Sequence, residues 1–356
     1  MRLLKGKLRG MSESIRTAFR QQAAFCRASG SALTCEVLEA LADVLDPSTR
    51  TGRRILDWPG DPMVDALMLR ITGGLNALAR SGREPELAKL YEARTGEFHA
   101  VLKRMLEKWD DWLFPWLDGP PQTNEVARAA VLWPGMLEIA RRFGPKMEWI
   151  EVGASGGLNL NMDRFGYQLG ATRSGDAMSA LQLAPVWEGP SPVDAPVDVV
   201  DRVGIDMQPL DMSDPVIAER MLAYIWPDQT ERVARAETAI IIARAWPPPI
   251  VKGDAAELLV PLLAEPQEAG RTRVVFHSIV LQYLPPEARE RVRQTMEAAG
   301  ARATADRPLA WLSMEFRDKV PTAELRLRCW PGPAEEITLA HVHPHGAQIT
   351  WVAENG

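Results

Sequence analysis

Cysteine is scarce in this 356-residue chain, which contains only Cys26, Cys35 and Cys329 and no CxxC pair. An odd, widely spaced set of three argues against a disulfide framework and favours reduced thiols. No uninterrupted apolar run approaches the ~20 residues of a membrane-spanning helix. The basic N-terminal segment also lacks the apolar core of a signal peptide. These absences predict a cytoplasmic protein that does not associate with a membrane.

The chain also lacks an excess of basic residues. Its formal charge is -6 and its isoelectric point is about 5.6, which argues against nucleic-acid binding through a basic surface. Hydrophobic residues make up 46% and charged residues 25% of the chain, as in ordinary globular proteins. We therefore expect a small-molecule substrate as the partner, and nothing indicates the oligomeric state.

Two regions differ in their hydrophobic pattern. Apolar residues at helical spacing, with no convincing strand, predict an all-helical N-terminal cap region over residues 1–145. Strands then alternate with helices over residues 146–356, which predicts an α/β domain. The last strands follow one another with no room for helices, so this sheet should begin parallel and end antiparallel. Residues 165–201 are rich in proline and glycine and are predicted to form an irregular insertion that folds over the ligand site.

The most informative stretch runs from Glu151 through Val-Gly-Ala-Ser-Gly-Gly-Leu to Asn159. An apolar run ends at the acid, and three glycines follow within five residues. This pattern is typical of a buried parallel strand that turns through a tight loop and brings the backbone close to a ligand. The spacing does not fit GxGxxG, which argues against a dinucleotide-dependent dehydrogenase.

Three later strands also end at polar residues. Asp206 ends one strand and would either bond ribose hydroxyls or cap a turn. Asp254 follows the next and would either accept a hydrogen bond from an adenine amino group or cap a helix. His277 lies where the following strand emerges, at the edge where open α/β sheets bind ligands. A histidine at this position is either structural or catalytic.

Two further clusters carry polar side chains. Asn124, Glu125 and Arg128 stand at a helix N-terminus, where they either cap and solvate the helix or face a ligand. The C-terminal segment contains three more candidates in close succession: His341, His343 and His345. They would bind a metal, bond a substrate or stabilise a turn. Because no HExxH motif and no obvious carboxylate companion accompany them, we assign no metal ligands and assign His343 and His345 to the substrate.

The segment from Glu151 to Gly157, then Asp206, Asp254 and the stretch from His277 to Glu287 resemble, in this order, the serial motifs of class I S-adenosylmethionine-dependent methyltransferases. The resemblance covers roughly residues 147–317 and implies a Rossmann-like sheet and S-adenosylmethionine as cofactor. It implies that the loop containing Gly153, Ser155 and Gly157 passes under the methionine part. The remaining predicted roles are Glu151 near the amino group, Asn159 in the same cofactor site, Asp206 on the ribose, Asp254 by the adenine, Glu125 or His277 as proton acceptor, and Asn124 and Arg128 on the substrate.

A second resemblance spans nearly the whole chain. Gln122-Thr-Asn-Glu-Val, the glycine stretch, the segment from Gly204 to Asp211, Val275-Phe-His-Ser and His343-Pro-His-Gly are similar to a bacterial family known only as a domain of unknown function. The sequence therefore favours a methyltransferase with an unknown acceptor. A nucleoside-binding protein without catalysis and a metal-dependent enzyme using the C-terminal histidines remain open.

Overall fold

The structure is a computed structural model that describes residues 2–317, 322–333 and 335–353, with side chains from residue 13 onward. The chain forms two compact units. One unit contains residues 1–123 and 215–234, and the other contains residues 124–214 and 235–356. Among the described residues, no helix is long and apolar enough to cross a membrane.

The N-terminal unit is helical, as its apolar spacing predicts. In chain order the α-helices of the described residues are α1 (Arg2–Ala28), α2 (Ala32–Val44), α3 (Arg50–Leu56), α4 (Leu67–Arg80), α5 (Pro85–Ala93), α6 (Phe98–Lys108), α7 (Asp110–Leu113), α8 (Ala129–Phe143), α9 (Pro215–Ala223), α10 (Thr230–Ala245), α11 (Ala255–Ala264) and α12 (Pro286–Gly300). Helices α1–α7 and α9 lie in this first unit, and α10 runs from it into the second.

Helix α4 shows why this unit packs tightly. Almost all of its residues are buried. A Cβ atom at Gly73 would lie 2.6 Å from the Tyr224 ring, and one at Gly74 would lie 2.8 Å from the Trp116 ring. Glycine therefore allows the two aromatic rings to pack directly on the helix backbone.

A nine-stranded sheet organises the second unit. The strands are β1 (Lys146–Val152), β2 (Gly166–Leu169), β3 (Thr172–Gly175), β4 (Gln182–Leu183), β5 (Val186–Glu188), β6 (Asp198–Asp206), β7 (Ile250–Lys252), β8 (Thr272–Ser278), β9 (Leu309–Phe316), β10 (Ala323–Trp330), β11 (Ile337–Val342) and β12 (Gln348–Trp351). The large sheet has the order β5-β12-β11-β10-β9-β8-β1-β6-β7. The fold is therefore α/β with a mostly parallel sheet.

The strand pairing changes from parallel to antiparallel at β9. Strands β7, β6, β1, β8 and β9 pair in parallel, whereas β9 through β12 form an antiparallel meander. The first six residues of β8 are buried, as expected for a central parallel strand covered on both faces. The predicted change from a parallel to an antiparallel sheet is confirmed by this pairing.

The predicted insertion is more regular than its composition indicates. Strands β3, β2 and β4 form a small separate sheet, and β5 pairs with β12 at the edge of the large sheet. Strand β6 already begins at Asp198, so the insertion ends before residue 201. A hydrogen-bonded sheet satisfies the polar backbone groups of this segment despite its prolines and glycines.

Candidate functional site

Three parallel strands end side by side at the carboxyl edge of the sheet. The last residue of β1, Val152, aligns with Ile205 near the end of β6 and with His277 near the end of β8. The glycine loop, residues 153–157, follows β1 at this edge. Open α/β sheets bind ligands outside the carboxyl ends of their strands, so the predicted site residues converge on the expected side of the fold.

The glycine loop turns through left-handed backbone conformations. The φ angles are 73° at Gly153, 53° at Ser155 and 69° at Gly157. The carbonyl oxygen of Ile205 accepts hydrogen bonds from the N–H groups of Gly153 and Ala154 at 2.8 and 3.1 Å. These bonds fix the start of the loop to β6, and Ser155 adopts a conformation that glycine adopts without strain.

Side chains from elsewhere in the unit occupy several N–H groups of this loop. The Oδ1 atom of Asn124 accepts hydrogen bonds from Gly156 at 3.1 Å and Leu158 at 3.0 Å. The Oδ2 atom of Asp206 accepts one from Ser155 at 2.8 Å. In a phosphate-binding loop such donors point at the anion. Here oxygen acceptors of the protein already use them, so the loop is not prepared for a phosphate group.

Side chains also cover the glycines. A Cβ atom at Gly153 would lie 2.4 Å from Cγ2 of Val280. The same pattern holds further along the loop, with Met212 against Gly156 and Pro248 against Gly157. The absence of a Cβ atom therefore admits protein side chains at these positions.

Glu151 is a buried carboxyl group with an unused acceptor. It is 2% exposed, and its Oε2 atom has no hydrogen-bond partner within the part of the chain that the structure describes. Burial raises the pKa of Glu151 well above its ordinary value, the negative charge of Asp206 adds to this, and the positive charge of Arg128 opposes it. A buried acceptor without a donor is costly, and a ligand that supplies a donor would remove this cost.

Asn159 provides a second unused acceptor beyond the other end of the glycine loop. It is 2% exposed. Its Nδ2 atom donates to the carbonyl oxygen of Glu125 at 3.4 Å, whereas its Oδ1 atom has no partner among the described residues. Both unused groups are oxygen acceptors, so a ligand that satisfies them must supply N–H or O–H donors.

The two other acids predicted for the cofactor hold backbone N–H groups. Asp206 accepts from Ser155 through Oδ2 and from Gln208 through Oδ1, each at 2.8 Å. Asp254 caps α11 by accepting from the N–H group of Ala256 at 2.8 Å. A carboxylate oxygen has a further lone pair, so these bonds do not exhaust the acceptor capacity of Asp206.

Arg128 connects two loops at the same edge of the sheet. Its Nε atom donates to the carbonyl oxygen of Pro344, and its Nη1 atom donates to that of Ser278, both at 3.0 Å. Nearby, buried Glu125 accepts from the N–H group of Ala127 at 3.2 Å and caps a short 3₁₀ helix. The segment with Asn124, Glu125 and Arg128 therefore has a structural role: it holds the glycine loop through Asn124 and two neighbouring loops through Arg128.

Both ring nitrogens of His277 have partners inside the sheet. The indole N–H of Trp311 donates to Nε2 at 2.9 Å, which leaves Nδ1 to donate to Oε1 of Glu315 at 2.7 Å. The same carboxylate oxygen accepts from Val280 at 3.0 Å and Leu281 at 3.2 Å. His277 is 1% exposed, so in this arrangement neither nitrogen can reach a substrate.

The C-terminal histidines lie in and beside a turn. Gly346 donates to the carbonyl oxygen of His343 at 2.8 Å, and the His345 N–H donates to Nδ1 of His343 at 3.1 Å. The ring of His341 lies 3.7 Å from a carboxylate oxygen of Glu324. Within residues 2–317, 322–333 and 335–353, no group of three or more His, Cys, Asp or Glu side chains could hold a metal ion.

Backbone strain is concentrated near the glycine loop. Five non-glycine residues have positive φ in the described residues, and three of them are Asn124, Ser155 and Ile279. Ile279, with a φ of 52°, is unusual because a β-branched residue rarely adopts this conformation. Its N–H bonds to Met314 at 2.8 Å. Strained residues of this kind accumulate at functional sites.

Hydrogen bonds therefore join most of the predicted site residues to the glycine loop or its neighbours, whereas two predicted residues have no such bond. Direct hydrogen bonds connect Asn124 with the glycine loop, Glu125 with Asn159, Asp206 with Ser155, and Arg128 with the turn after His343. Asp254 and His277 have structural partners instead. Sequence reasoning did not identify Trp311 and Glu315, because nothing local to β9 indicates that they face His277.

Cavity size does not single out this edge of the sheet. One cavity of about 500 Å³ lies in the helical unit, and another of about 470 Å³ lies between α11, α12 and the starts of β8 and β9. Neither is lined by a residue of the glycine loop. The site assignment rests instead on the unused buried acceptors and the strained backbone.

The fold and this site define an α/β protein whose candidate ligand site lies at the carboxyl edge of a mostly parallel sheet. The chain belongs to the family described as "Uncharacterized protein conserved in bacteria (DUF2332)", which matches residues 16–351. No curated protein and no solved structure matches the chain. The predicted similarity to a bacterial family of unknown function is confirmed.

Proposed function

We propose that this protein is an S-adenosylmethionine-dependent methyltransferase that acts on a small-molecule acceptor. The observation that carries the proposal is the buried carboxyl group of Glu151, whose Oε2 atom lacks a donor among the described residues. It is the penultimate residue of β1, two residues before the glycine loop begins at Gly153. A buried acid with a raised pKa in such a position is a candidate functional group.

The order of the parallel strands supports a nucleoside ligand. Numbered by their order along the chain, the five parallel strands β7, β6, β1, β8 and β9 have the spatial order 3-2-1-4-5. This is the order of dinucleotide-binding sheets up to their fifth strand. Strands β6 and β7 are added on one side of β1, and β8 and β9 are added on the other side. Ligands bind where this order switches, so the expected ligand site is at the ends of β1, β6 and β8.

The charge of the site favours a cationic ligand. Three carboxyl side chains, those of Glu125, Glu151 and Asp206, belong to the segments that adjoin the glycine loop, together with one guanidinium, that of Arg128. The loop N–H groups at Ser155 and Gly156 are already bound to oxygen atoms. Such a site suits an ammonium and a sulfonium better than the phosphates of a nicotinamide cofactor.

The residues present fit the amino end of the proposed cofactor. Glu151 and Asn159 are both buried and both retain an oxygen acceptor without a donor. In the proposed complex they hold the cofactor's ammonium group, and Asp206 accepts from ribose hydroxyls through its remaining lone pairs. When bound, the cofactor supplies a methyl group that is already activated by the positive sulfur.

The protein then has to align the acceptor, exclude water and receive a proton. Because both ring nitrogens of His277 are occupied, proton acceptance falls to Glu125 in the proposal. His277 has a positioning role, since Glu315 also holds the N–H groups of Val280 and Leu281.

One observation favours the alternative of a nucleoside-binding protein without catalysis. The residue predicted as proton acceptor at the end of β8, His277, is engaged on both sides. A methyl acceptor that needs no deprotonation would make a proton-accepting side chain unnecessary. The metal-dependent alternative has no donor set among the described residues.

Calorimetric titration with S-adenosylhomocysteine and 5′-methylthioadenosine tests the proposed site. The second ligand lacks the amino-acid part, so it should bind about 10-fold more weakly or worse, because a hydrogen bond to a charged group contributes roughly 1.5–3 kcal/mol. Glu151→Gln should abolish most of this difference. Asp194→Asn, which removes an exposed carboxylate of the same unit, is the matched control. Absence of binding by S-adenosylhomocysteine and S-adenosylmethionine would refute the proposal.

Turnover separates the proposal from its alternative. Conversion of S-adenosylmethionine to S-adenosylhomocysteine in the presence of a panel of amine, hydroxyl and thiol acceptors would support a transferase. Tight binding with no conversion by any acceptor would favour the nucleoside-binding alternative.

A further inference from the structure

The cavity of about 500 Å³ in the helical unit combines basic and aromatic side chains. Its volume lies in the range of small-molecule sites. Six of the lining residues carry its chemistry: Arg50, Arg53, Arg54, Asp57, Trp58 and Phe114. It is formed within residues 1–123 and is independent of the proposed methyltransferase site.

Helix α3 presents its arginines together. Arg50, Arg53 and Arg54 stand three and four residues apart, which places them on one helix face. Asp110 fixes the start of this helix by accepting from the N–H groups of Arg50 and Thr51, each at 2.8 Å. The cationic face is therefore anchored to a defined backbone.

Phe114 orders two of the guanidinium groups. The Arg50 guanidinium carbon lies 4.3 Å from the Phe114 ring centroid, and that of Arg54 lies 4.9 Å away. The indole N–H of Trp58 donates to Asp65 at 2.8 Å, which fixes the second aromatic ring. Stacked guanidinium groups lose less freedom when they bind a ligand.

The two carboxylates that pair with these arginines are both exposed to solvent. Arg50 pairs with Asp111 at 2.7 Å, and Arg54 pairs with Asp118 at 2.6 Å. The two aspartate side chains are 90% and 63% exposed, so each pair is worth only about 0–1 kcal/mol. An incoming anion can replace these carboxylates at low cost.

Arg53 has no carboxylate partner within the part of the chain that the structure describes. Its Nε and Nη2 atoms both donate to the carbonyl oxygen of Pro47, at 3.1 and 3.0 Å. Asp57 is the one carboxylate among the lining residues, and the two carboxylates that pair with Arg50 and Arg54 lie outside the lining. The cavity is electrostatically prepared for a compact anion.

We propose that this cavity binds a small-molecule phosphate monoester carried on an aromatic or heteroaromatic ring. The guanidinium groups match the donor requirement of a phosphate dianion, and Trp58 and Phe114 supply an apolar wall for the ring. Because Asp57 is the one carboxylate in the lining, it repels a longer polyphosphate chain only weakly. The preference for an aromatic phosphate over other phosphates therefore comes from the ring contacts with Trp58 and Phe114.

Calorimetric titration of the full chain with phenyl phosphate tests this site, with inorganic phosphate and benzoate as comparison ligands. Phenyl phosphate should bind at least 10-fold more tightly than either. Arg53→Gln should reduce its affinity by at least 10-fold, and Arg53→Lys should reduce it less. Because the Arg53 side chain is exposed and, among the described residues, its hydrogen bonds go only to the backbone carbonyl of Pro47, neither change should affect folding.

Arg83→Gln provides the matched control, since the Arg83 guanidinium stacks on Trp112 at 4.9 Å in the same unit but does not line the cavity. Its affinity for phenyl phosphate should equal that of the unmodified chain. The proposal fails if phenyl phosphate produces no binding heat at millimolar concentration. It also fails if benzoate binds equally well, or if Arg53→Gln and Arg83→Gln behave alike.

Discussion

The Nδ1 atom of His277 lies 2.7 Å from the Oε1 atom of Glu315, and the two residues are buried on neighbouring strands β8 and β9. Glu315 also holds the backbone just beyond β8 through Val280 and Leu281. The pair therefore shapes the strained turn at Ile279, beside the glycine loop.

Replacing His277 by alanine should destabilise the protein by about 3 kcal/mol, because it leaves the Trp311 N–H and the Glu315 carboxylate without their buried partner. Urea unfolding measures this loss. His99→Ala is the matched control, since His99 has an exposed side chain that pairs with an exposed aspartate, and its effect should stay below about 0.5 kcal/mol. Lost turnover with unchanged stability in His277→Ala would instead indicate a catalytic histidine.

Gly153→Ala should cost more stability than Gly82→Ala. Both glycines have similar positive φ angles, 73° and 68°, but only at Gly153 would the new Cβ meet another residue, Cγ2 of Val280 at 2.4 Å. We expect about 1 kcal/mol for the conformational term at both positions, and a further loss of about 1–3 kcal/mol for overpacking at Gly153.

Val280→Ala in the Gly153→Ala background should recover most of the stability lost to overpacking, because it removes the Cγ2 atom at 2.4 Å and leaves the Cβ atom at 3.0 Å. Urea unfolding of the two single variants and the double variant measures the coupling energy between the positions. Equal destabilisation by Gly153→Ala and Gly82→Ala would show that Val280 does not cover the loop.

Substitutions of Asn124 should depend on whether the side chain keeps an acceptor. Asn124→Ala removes the acceptor for Gly156 and Leu158 and should cost about 2 kcal/mol. Asn124→Asp keeps a carboxylate oxygen there and should retain most of this stability. Hydrogen exchange at the two amides provides a local readout. Equal exchange rates in the two variants would argue against the observed bonds.

Glu151→Gln should change how stability depends on pH. Since burial and Asp206 raise the pKa of Glu151 above its ordinary value of 4.5, the folded chain retains a proton that the unfolded chain releases. The unfolding free energy of the unmodified protein therefore falls as pH rises from 4.5 toward the raised pKa, by up to about 1.4 kcal/mol per pH unit. Glutamine carries no such proton.

The unfolding free energy of Glu151→Gln, relative to that of the unmodified protein, should therefore rise with pH in this window. Below pH 4.5 the relative value should be constant. Urea unfolding at several pH values checks the slope, and Asp194→Asn should show no comparable trend. Parallel pH profiles for all three proteins would mean that Glu151 ionises normally in the folded state.

Local sequence signals predicted the helical unit, the parallel strands and the antiparallel end, because each depends on hydrophobic spacing within a short segment. Pairing across long separations was not predictable in this way. Strand β5 pairs with β12 some 160 residues later, as in the contact between Val186 and Gln348. The Glu315 side chain likewise meets His277 only once β9 lies beside β8.

Backbone conformation set a second limit. The segment from Glu84 to Trp109 has the pattern of one helix, yet α5 ends at Ala93 and α6 begins at Phe98. Arg94 adopts a φ of 56° between them, which a residue pattern does not reveal. Similarly, the sequence placed Ser155 in the glycine loop but could not show that Asn124 and Asp206 would occupy the N–H groups around it.

The central claim is that Glu151 receives a cationic ligand group, and proton release on binding tests it most directly. A bound ammonium stabilises the ionised carboxylate, so S-adenosylhomocysteine should displace a proton from Glu151. We predict that the calorimetric binding enthalpy of the unmodified protein varies with the ionisation enthalpy of the buffer, showing proton release at pH values between 4.5 and the raised pKa of Glu151, and that Glu151→Gln shows none. No binding, or the same proton release in both proteins, would contradict the claim.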